Sequence, residues 1–130
     1  MTKLDPIIAV TDVDASAKWY EQIFNFKNSS PEGHGFAVLK SETSEIVLCL
    51  HQWEMDHHPT MTDQTITPGN GLMLYFRTNN MDIIYQKAVK AGCKIEEDMH
   101  LNPRPMKKEF SLRDPDGYFL TVSEFHEFGR

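Results

Sequence analysis

Apolar positions along the chain change their spacing in a fixed order, and they do so twice. Pro6-Ile7-Ile8-Ala9-Val10 is a short uninterrupted apolar run ahead of Asp12, the pattern of a strand buried on both faces. From about residue 14 to 24 the spacing lengthens to three and four residues. Trp19, Tyr20, Ile23 and Phe24 then share one face, which predicts a helix capped by Asp12 or Asp14. Asn25, Ser29, Ser30, Pro31, Gly33 and Gly35 break the pattern, with room for a short strand at 26–28. A hairpin follows, with apolar runs at 36–39 and 45–51 around the polar turn 41–44.

The second half repeats this order. Residues 72–77 read as a strand, Asn79 or Asn80 as a cap, and Met81, Ile84, Tyr85, Ala88 and Val89 as a helical stripe closed by Gly92. A short strand at 94–96, a loop through Asn102-Pro103-Arg104-Pro105, and a hairpin of 109–112 with 118–124 complete it. The turn Asp114-Pro115-Asp116-Gly117 has a mechanism: proline fixes the first torsion and glycine supplies the positive one. Thr11 to Thr78 and Phe26 to Cys93 are both 67 positions, which sets strand and helix of the halves in register. Leu48 to Thr121 is 73, so the second copy carries about six more residues. Two βαβββ units of about 60 residues must pack to close a core. The expected division of the domain 1–130 is repeat one at 4–53, a polar linker at 54–70 and repeat two at 71–127.

Composition narrows the partners. The 130 residues carry 13 basic and 19 acidic side chains, a formal charge of −6, and the longest basic run is Lys107-Lys108. A nucleic-acid or anionic-membrane binder needs a positive face, so neither partner is expected. No segment approaches the roughly 20 apolar residues of a membrane span, and the first residues lack the apolar core of a secretion signal, so a cytoplasmic location is expected. Cys49 and Cys93 lie 44 positions apart in apolar surroundings, which excludes a CxxC redox pair and a zinc knuckle and predicts buried free thiols.

Val10-Thr11-Asp12-Val13 with Ser16 and Trp19-Tyr20, then Lys90-Ala91-Gly92, then the run from Phe110 through Asp114-Pro115-Asp116-Gly117-Tyr118, resemble the vicinal oxygen chelate superfamily. This is the group that holds glyoxalase I, bleomycin-resistance proteins, fosfomycin-resistance enzymes and extradiol dioxygenases. The resemblance covers nearly the whole chain. It implies an α+β fold in which two βαβββ repeats form a curved, mostly antiparallel eight-stranded sheet, with helices on the convex face and the ligand on the concave one. It also implies a homodimer.

In metal-dependent members one ligand comes from near the start of each half's first strand and one from each half's last strand. Those positions fall at Asp5, Leu48, Met73 (or Leu72) and Thr121. A divalent metal wants His, Glu, Asp or Cys donors, and only Asp5 offers one, so no metal and no other cofactor is expected there. The resemblance is therefore to the metal-free, bleomycin-resistance-like branch. His51, Glu54, His57 and His58 lie within eight positions, close enough for a metal if the loop folded back, but they belong to the linker, and a solvated loop is the expectation. His34, His100 and His126 are isolated. No GxSxG elbow, P-loop or GxGxxG motif occurs.

Side-chain alternation from the four ligand positions gives a cleft-facing set: Asp5, Ile7 and Ala9; Ile46, Leu48, Leu50 and Gln52; Met73, Tyr75 and Arg77; Phe119, Thr121 and Ser123. Ile8, Val10, Val47, Cys49, Leu74, Phe76, Leu120 and Val122 take the helix side. His51 or Trp53 would line the rim. Arg77 could fork onto a carboxylate or phosphate. Arg104, with Lys107 and Lys108, stands where the family lowers a lid, or else forms a solvated charge cluster. The expected function is small-organic-molecule binding, with sequestration of a drug-like compound as one form. The alternatives are an enzyme of the same superfamily (lyase, isomerase, dioxygenase or thiol transferase) and a vestigial-cleft subunit that engages a protein.

Overall fold

The computed structural model describes residues 1–128, so the last two positions of the expected domain lie outside the described residues. The chain divides into two compact units, residues 1–67 and Pro68 onward. The first contains β1 (Ile7–Val10), α1 (Val13–Phe24), β2 (Lys27–Asn28), β3 (Phe36–Lys40) and β4 (Ile46–Gln52). The second contains β5 (Leu74–Thr78), α2 (Met81–Lys90), β6 (Ile95–Asn102), β7 (Lys107–Arg113) and β8 (Phe119–Glu124). Each unit forms a four-stranded sheet, in the orders β1-β4-β3-β2 and β5-β8-β7-β6. The pairs β1·β4 and β5·β8 are parallel and the remaining neighbours antiparallel. The parallel pairs are the ones that a helical crossover makes possible.

In the first unit Asp12 caps α1 through its side chain, which accepts from the Ala15 N–H at 3.0 Å. Asn25 ends the helix in the left-handed region at φ 61°, a conformation asparagine tolerates, with its N–H on Glu21 O. Glu21 Oε2 also accepts from the Asn28 N–H at 3.1 Å, tying β2 to the helix. Ser16, Ala17, Tyr20, Ile23 and Phe24 are buried, and α1 packs on β3 and β4. The rings of Trp19, Tyr20, Phe24 and Phe26 extend this core, with centroid spacings from 4.8 to 6.5 Å.

In the second unit α2 buries Met81, Ile84 and Ala88, and the Tyr85 ring meets Phe110 edge-on at 5.0 Å. The Asp114 turn forms as its residues dictate. Asp114 Oδ1 accepts from the N–H groups of Asp116 and Tyr118, both at 2.9 Å, and Gly117 takes φ 91°. β6 is much longer than the strand expected at 94–96. It pairs with β7 across two irregularities, so its side chains lose the strict alternation that marks a strand in sequence.

The register of the repeat differs from the expected 67 and 73. Val13 and Met81, Ser16 and Ile84, Tyr20 and Ala88 are each 68 positions apart, and all but Ser16 are apolar members of the two buried stripes. At the last strands the core residues Leu48 and Leu50 correspond to Leu120 and Val122, 72 positions apart. An odd offset would interchange the two faces of a strand, and this is the error that the sequence register carries.

Candidate functional site

The sheet face opposite α2 is set by the ladder. Tyr75 pairs with Thr121 and Arg77 with Ser123 across β5·β8, while Ser111 pairs with Thr121 and Glu109 with Ser123 across β7·β8. Tyr75, Arg77, Thr121 and Ser123 therefore share one face, and Leu74, Phe76, Leu120, Val122, Phe110 and Leu112 share the helix side. That face is polar and internally bonded. Ser111 Oγ donates to Glu97 Oε1 at 2.9 Å and lies 2.8 Å from Thr121 Oγ1. Since the single Ser111 proton goes to the carboxylate, the Thr121 hydroxyl donates to Ser111. Asn102 Nδ2 donates to the buried Glu109 carboxylate at 2.6 Å, and Asn102 Oδ1 accepts from the Arg104 N–H at 3.1 Å. Ser123 Oγ donates to Glu124 O at 2.9 Å.

The segment after β8 turns back over this face. Tyr75 Oη lies 2.9 Å from His126 Nε2, and an Arg77 guanidinium nitrogen donates to His126 O at 2.6 Å. The same guanidinium stacks over Phe125 at 5.2 Å and Phe128 at 4.8 Å, and stands 3.6 Å from Glu127. Tyr75, His126 and Phe128 form a ring cluster with centroids 5.3 to 6.0 Å apart. Beside it lies an open groove of about 480 Å³, lined by Tyr75, Asn102, Arg104, Pro105, His126, Glu127 and Phe128.

In the first unit the ladder overturns part of the expected cleft face. Ile7 pairs with Cys49 and Ala9 with His51, whereas Ile8 pairs with Leu50. Leu48 and Leu50, 1% and 0% exposed, thus belong with Ile8 and Val10 in the core under α1, and Val47, Cys49 and His51 take the opposite face. Gln52 follows Leu50's parity, and its Nε2 donates to Thr11 O at 2.8 Å, closing the end of the β1·β4 pair. Trp53 is half-buried, with its N–H on Val10 O. Asp5 and Ile7 are exposed, as is Met73. The expected set is therefore brought together only in part. Tyr75 and Arg104 line the groove, Thr121 and Ser123 lie buried in the polar network, and Arg77 holds the tail rather than lining the groove. The solvated loop holds for Glu54, His57 and His58, which are exposed, whereas His51 is buried at the end of β4, with its Nε2 3.4 Å from Asp56 Oδ2. His126 and Phe128 join the lining from beyond β8, and nothing local in the sequence brings 126–128 back onto β5; Asn102 joins it from the end of β6, which extends beyond the strand expected at 94–96.

The glyoxalase/bleomycin resistance protein/dioxygenase superfamily model matches residues 3–122. The chain belongs to this superfamily. Solved structures give the same fold. TioX from Micromonospora sp. ML1 is 14% identical with a TM-score of 0.76, covering 97% of this chain and 100% of that one. A bleomycin resistance determinant encoded on the transposon Tn5 is 18% identical with a TM-score of 0.69, covering 98% and 100%. A glyoxylase/bleomycin resistance protein/dioxygenase domain from Frankia sp. EAN1pec is 20% identical with a TM-score of 0.71, covering 97% and 99%. Comparison with curated proteins returns no significant match.

Of the four positions that the resemblance gives for a metal, only Asp5 carries a donor suited to a divalent ion. Leu48 is a core side chain without a donor, Met73 carries only a thioether, and Thr121 commits its hydroxyl to Ser111. By the 72-position offset the counterpart of Thr121 is Cys49, a buried residue on the face that Ile7 shares. Burial, and then the charge of Asp5, pushes its thiol pKa up. Among the described residues, no helix of this superfamily member is long and apolar enough to cross a membrane.

Proposed function

We propose that this superfamily member binds a small organic molecule in the groove beside Tyr75, without a metal at the superfamily's four positions. The observation that carries the reading is the groove itself. Its volume of about 480 Å³ falls in the range that holds drug-sized ligands. Its lining combines three rings with the Asn102 amide and the Arg104 guanidinium, apolar surface with few polar groups to fix orientation. Such a lining suits a flat aromatic compound. The Arg104 backbone is anchored through Asn102 to Glu109, so the loop that carries the guanidinium is positioned before a ligand arrives. Sequestration of a drug-like compound, by a homodimer in the cytoplasm, is one form of this proposed function, and the shared fold with a bleomycin resistance determinant is consistent with it.

A thermal-shift screen of flat aromatic compounds, with bleomycin among them, tests the reading. A ligand that binds only the native state raises the melting temperature by mass action. The expected result is a shift for at least one compound that is lost in both Tyr75→Ala and Arg104→Ala. Absence of any shift, or shifts indifferent to both substitutions, would overturn the groove as the site.

A further inference from the structure

The loop that leaves β4 returns to the end of that strand. Glu54, Asp56 and His57 take positive φ values of 65°, 63° and 55°, and the Glu54 N–H closes the loop on Met61 O at 2.7 Å. Met55 lies over Gly35, where an added Cβ would stand 2.5 Å from its sulfur. Folded this way, the loop brings Asp56 and His58 to His51. One ligand atom from each of the three residues lies within 4.8 Å of the other two. Glu54 and His57 are not in the group. The Glu54 carboxylate points to Gln64, whose Nε2 donates to it at 3.1 Å.

We propose that His51, Asp56 and His58 form a binding site for a borderline divalent cation of the zinc, cobalt and nickel class. None of the three occupies a superfamily metal position. His51 is the fixed member. It is buried, and its Nδ1 lies 2.7 Å from Gln52 O. A carbonyl only accepts, so Nδ1 carries a proton and Nε2 is the ring nitrogen turned to the loop, the orientation in which a carbonyl-anchored imidazole ligates a metal. Nε2 stands 3.4 Å from Asp56 Oδ2, longer than a good hydrogen bond. Two ligands about 2.0–2.1 Å from a tetrahedral ion are separated by about 3.3–3.4 Å, so this spacing already matches one edge of a zinc tetrahedron. The His58 ring crosses His51 at 69° with centroids 5.0 Å apart and is exposed, free to close the remaining distance. Two imidazoles and one carboxylate are a donor set for this metal class, and three ligands leave a coordination position open to solvent. The site uses residues of the first unit alone, so it stands or falls independently of the groove.

The test is metal binding by the untagged, chelator-stripped full chain. Zn²⁺ should bind at one equivalent per chain, and Co²⁺ should give the visible bands of a low-coordinate site. Asp56→Asn and His58→Gln each change an exposed side chain and should each weaken Zn²⁺ at least about tenfold, the least that losing even an outer-shell partner costs. His57→Gln, one position away, should leave the affinity unchanged. Nitrogen chemical shifts of the His51 ring should move with Zn²⁺ in the wild type and in His57→Gln. Absence of stoichiometric binding would overturn the site. So would affinity that survives Asp56→Asn and His58→Gln, or that falls equally in His57→Gln.

Discussion

Tyr75 on β5 and His126 beyond β8 are joined by a 2.9 Å contact between Oη and Nε2 across 51 positions of chain. This contact closes one wall of the groove, because it holds the 126–128 segment over the sheet. Tyr75→Phe keeps the ring and removes the bond. The expected cost is about 0.5–1.5 kcal/mol, read from urea unfolding, with ligand binding weakened further because the wall loosens. A variant as stable as the wild type with unchanged binding would show that the contact does not shape the groove.

Arg77 clamps the same segment by a different chemistry. Its planar guanidinium donates to His126 O while stacking on Phe125 and Phe128, which an ammonium cannot reproduce. Arg77→Lys should therefore speed amide exchange across 125–128 nearly as much as Arg77→Ala. Glu127→Gln should leave it unchanged, since a 3.6 Å ion pair on an exposed carboxylate contributes little.

The buried hydroxyl pair predicts an asymmetry. In Thr121→Val, Ser111 keeps its bond to Glu97, and the loss should be about 1 kcal/mol. Ser111→Ala leaves a buried Thr121 donor without its acceptor and should cost about 1–3 kcal/mol. The double variant should be no less stable than Ser111→Ala, since it removes the orphaned donor. Additive losses in chemical denaturation would contradict the assigned direction of the bond.

Faces of β1 and β4 can be read by substitution. Leu48→Ala should lose about 2–5 kcal/mol, as a core leucine does, and Leu48→Glu should fail to fold. Ile7→Lys, on the opposite and exposed face, should shift stability by no more than about 0.5 kcal/mol. The reverse ranking by thermal melting would restore the odd register.

Acid should weaken the β6·β7 edge. The Arg113 guanidinium, then the Lys94 ammonium, hold the Glu96 carboxyl below the usual glutamate range. A carboxylate lowered on folding stabilises the native state above its unfolded pKa and loses that stability as pH falls through the folded value. The Tyr85 hydroxyl and the Met99 N–H lower Asp98 in the same sense. Glu96→Gln and Asp98→Asn should each flatten the stability profile below the ordinary carboxylate range and leave it parallel to wild type near neutrality.

Element order was legible in the sequence because each element carries its own local signal. Asp12 caps, Asn25 and Gly92 terminate, and the proline and glycine of 114–117 turn the chain, each through bonds within a few residues. Of the groove lining, Tyr75 and Arg104 were reached through the family resemblance, by alternation from its ligand positions and by its lid loop. His126 and Phe128 gained their place through Arg77 and Tyr75, about fifty residues earlier, and no spacing encodes that.

By itself the sequence determined two βαβββ units, their caps and turns, and a core rich enough in apolar residues to close them. The tertiary structure decided which side each residue of β4 takes. Residues 46–50 are uninterruptedly apolar, so alternation is invisible there, and only hydrogen bonding to β1 and β3 places Leu48 inward and Cys49 and His51 outward. It also decided what became of the histidine segment, because whether a polar loop folds back depends on backbone torsions and on contacts such as Met55 over Gly35. Period-two patterns fix that a strand exists; pairing with a neighbour fixes the face it shows.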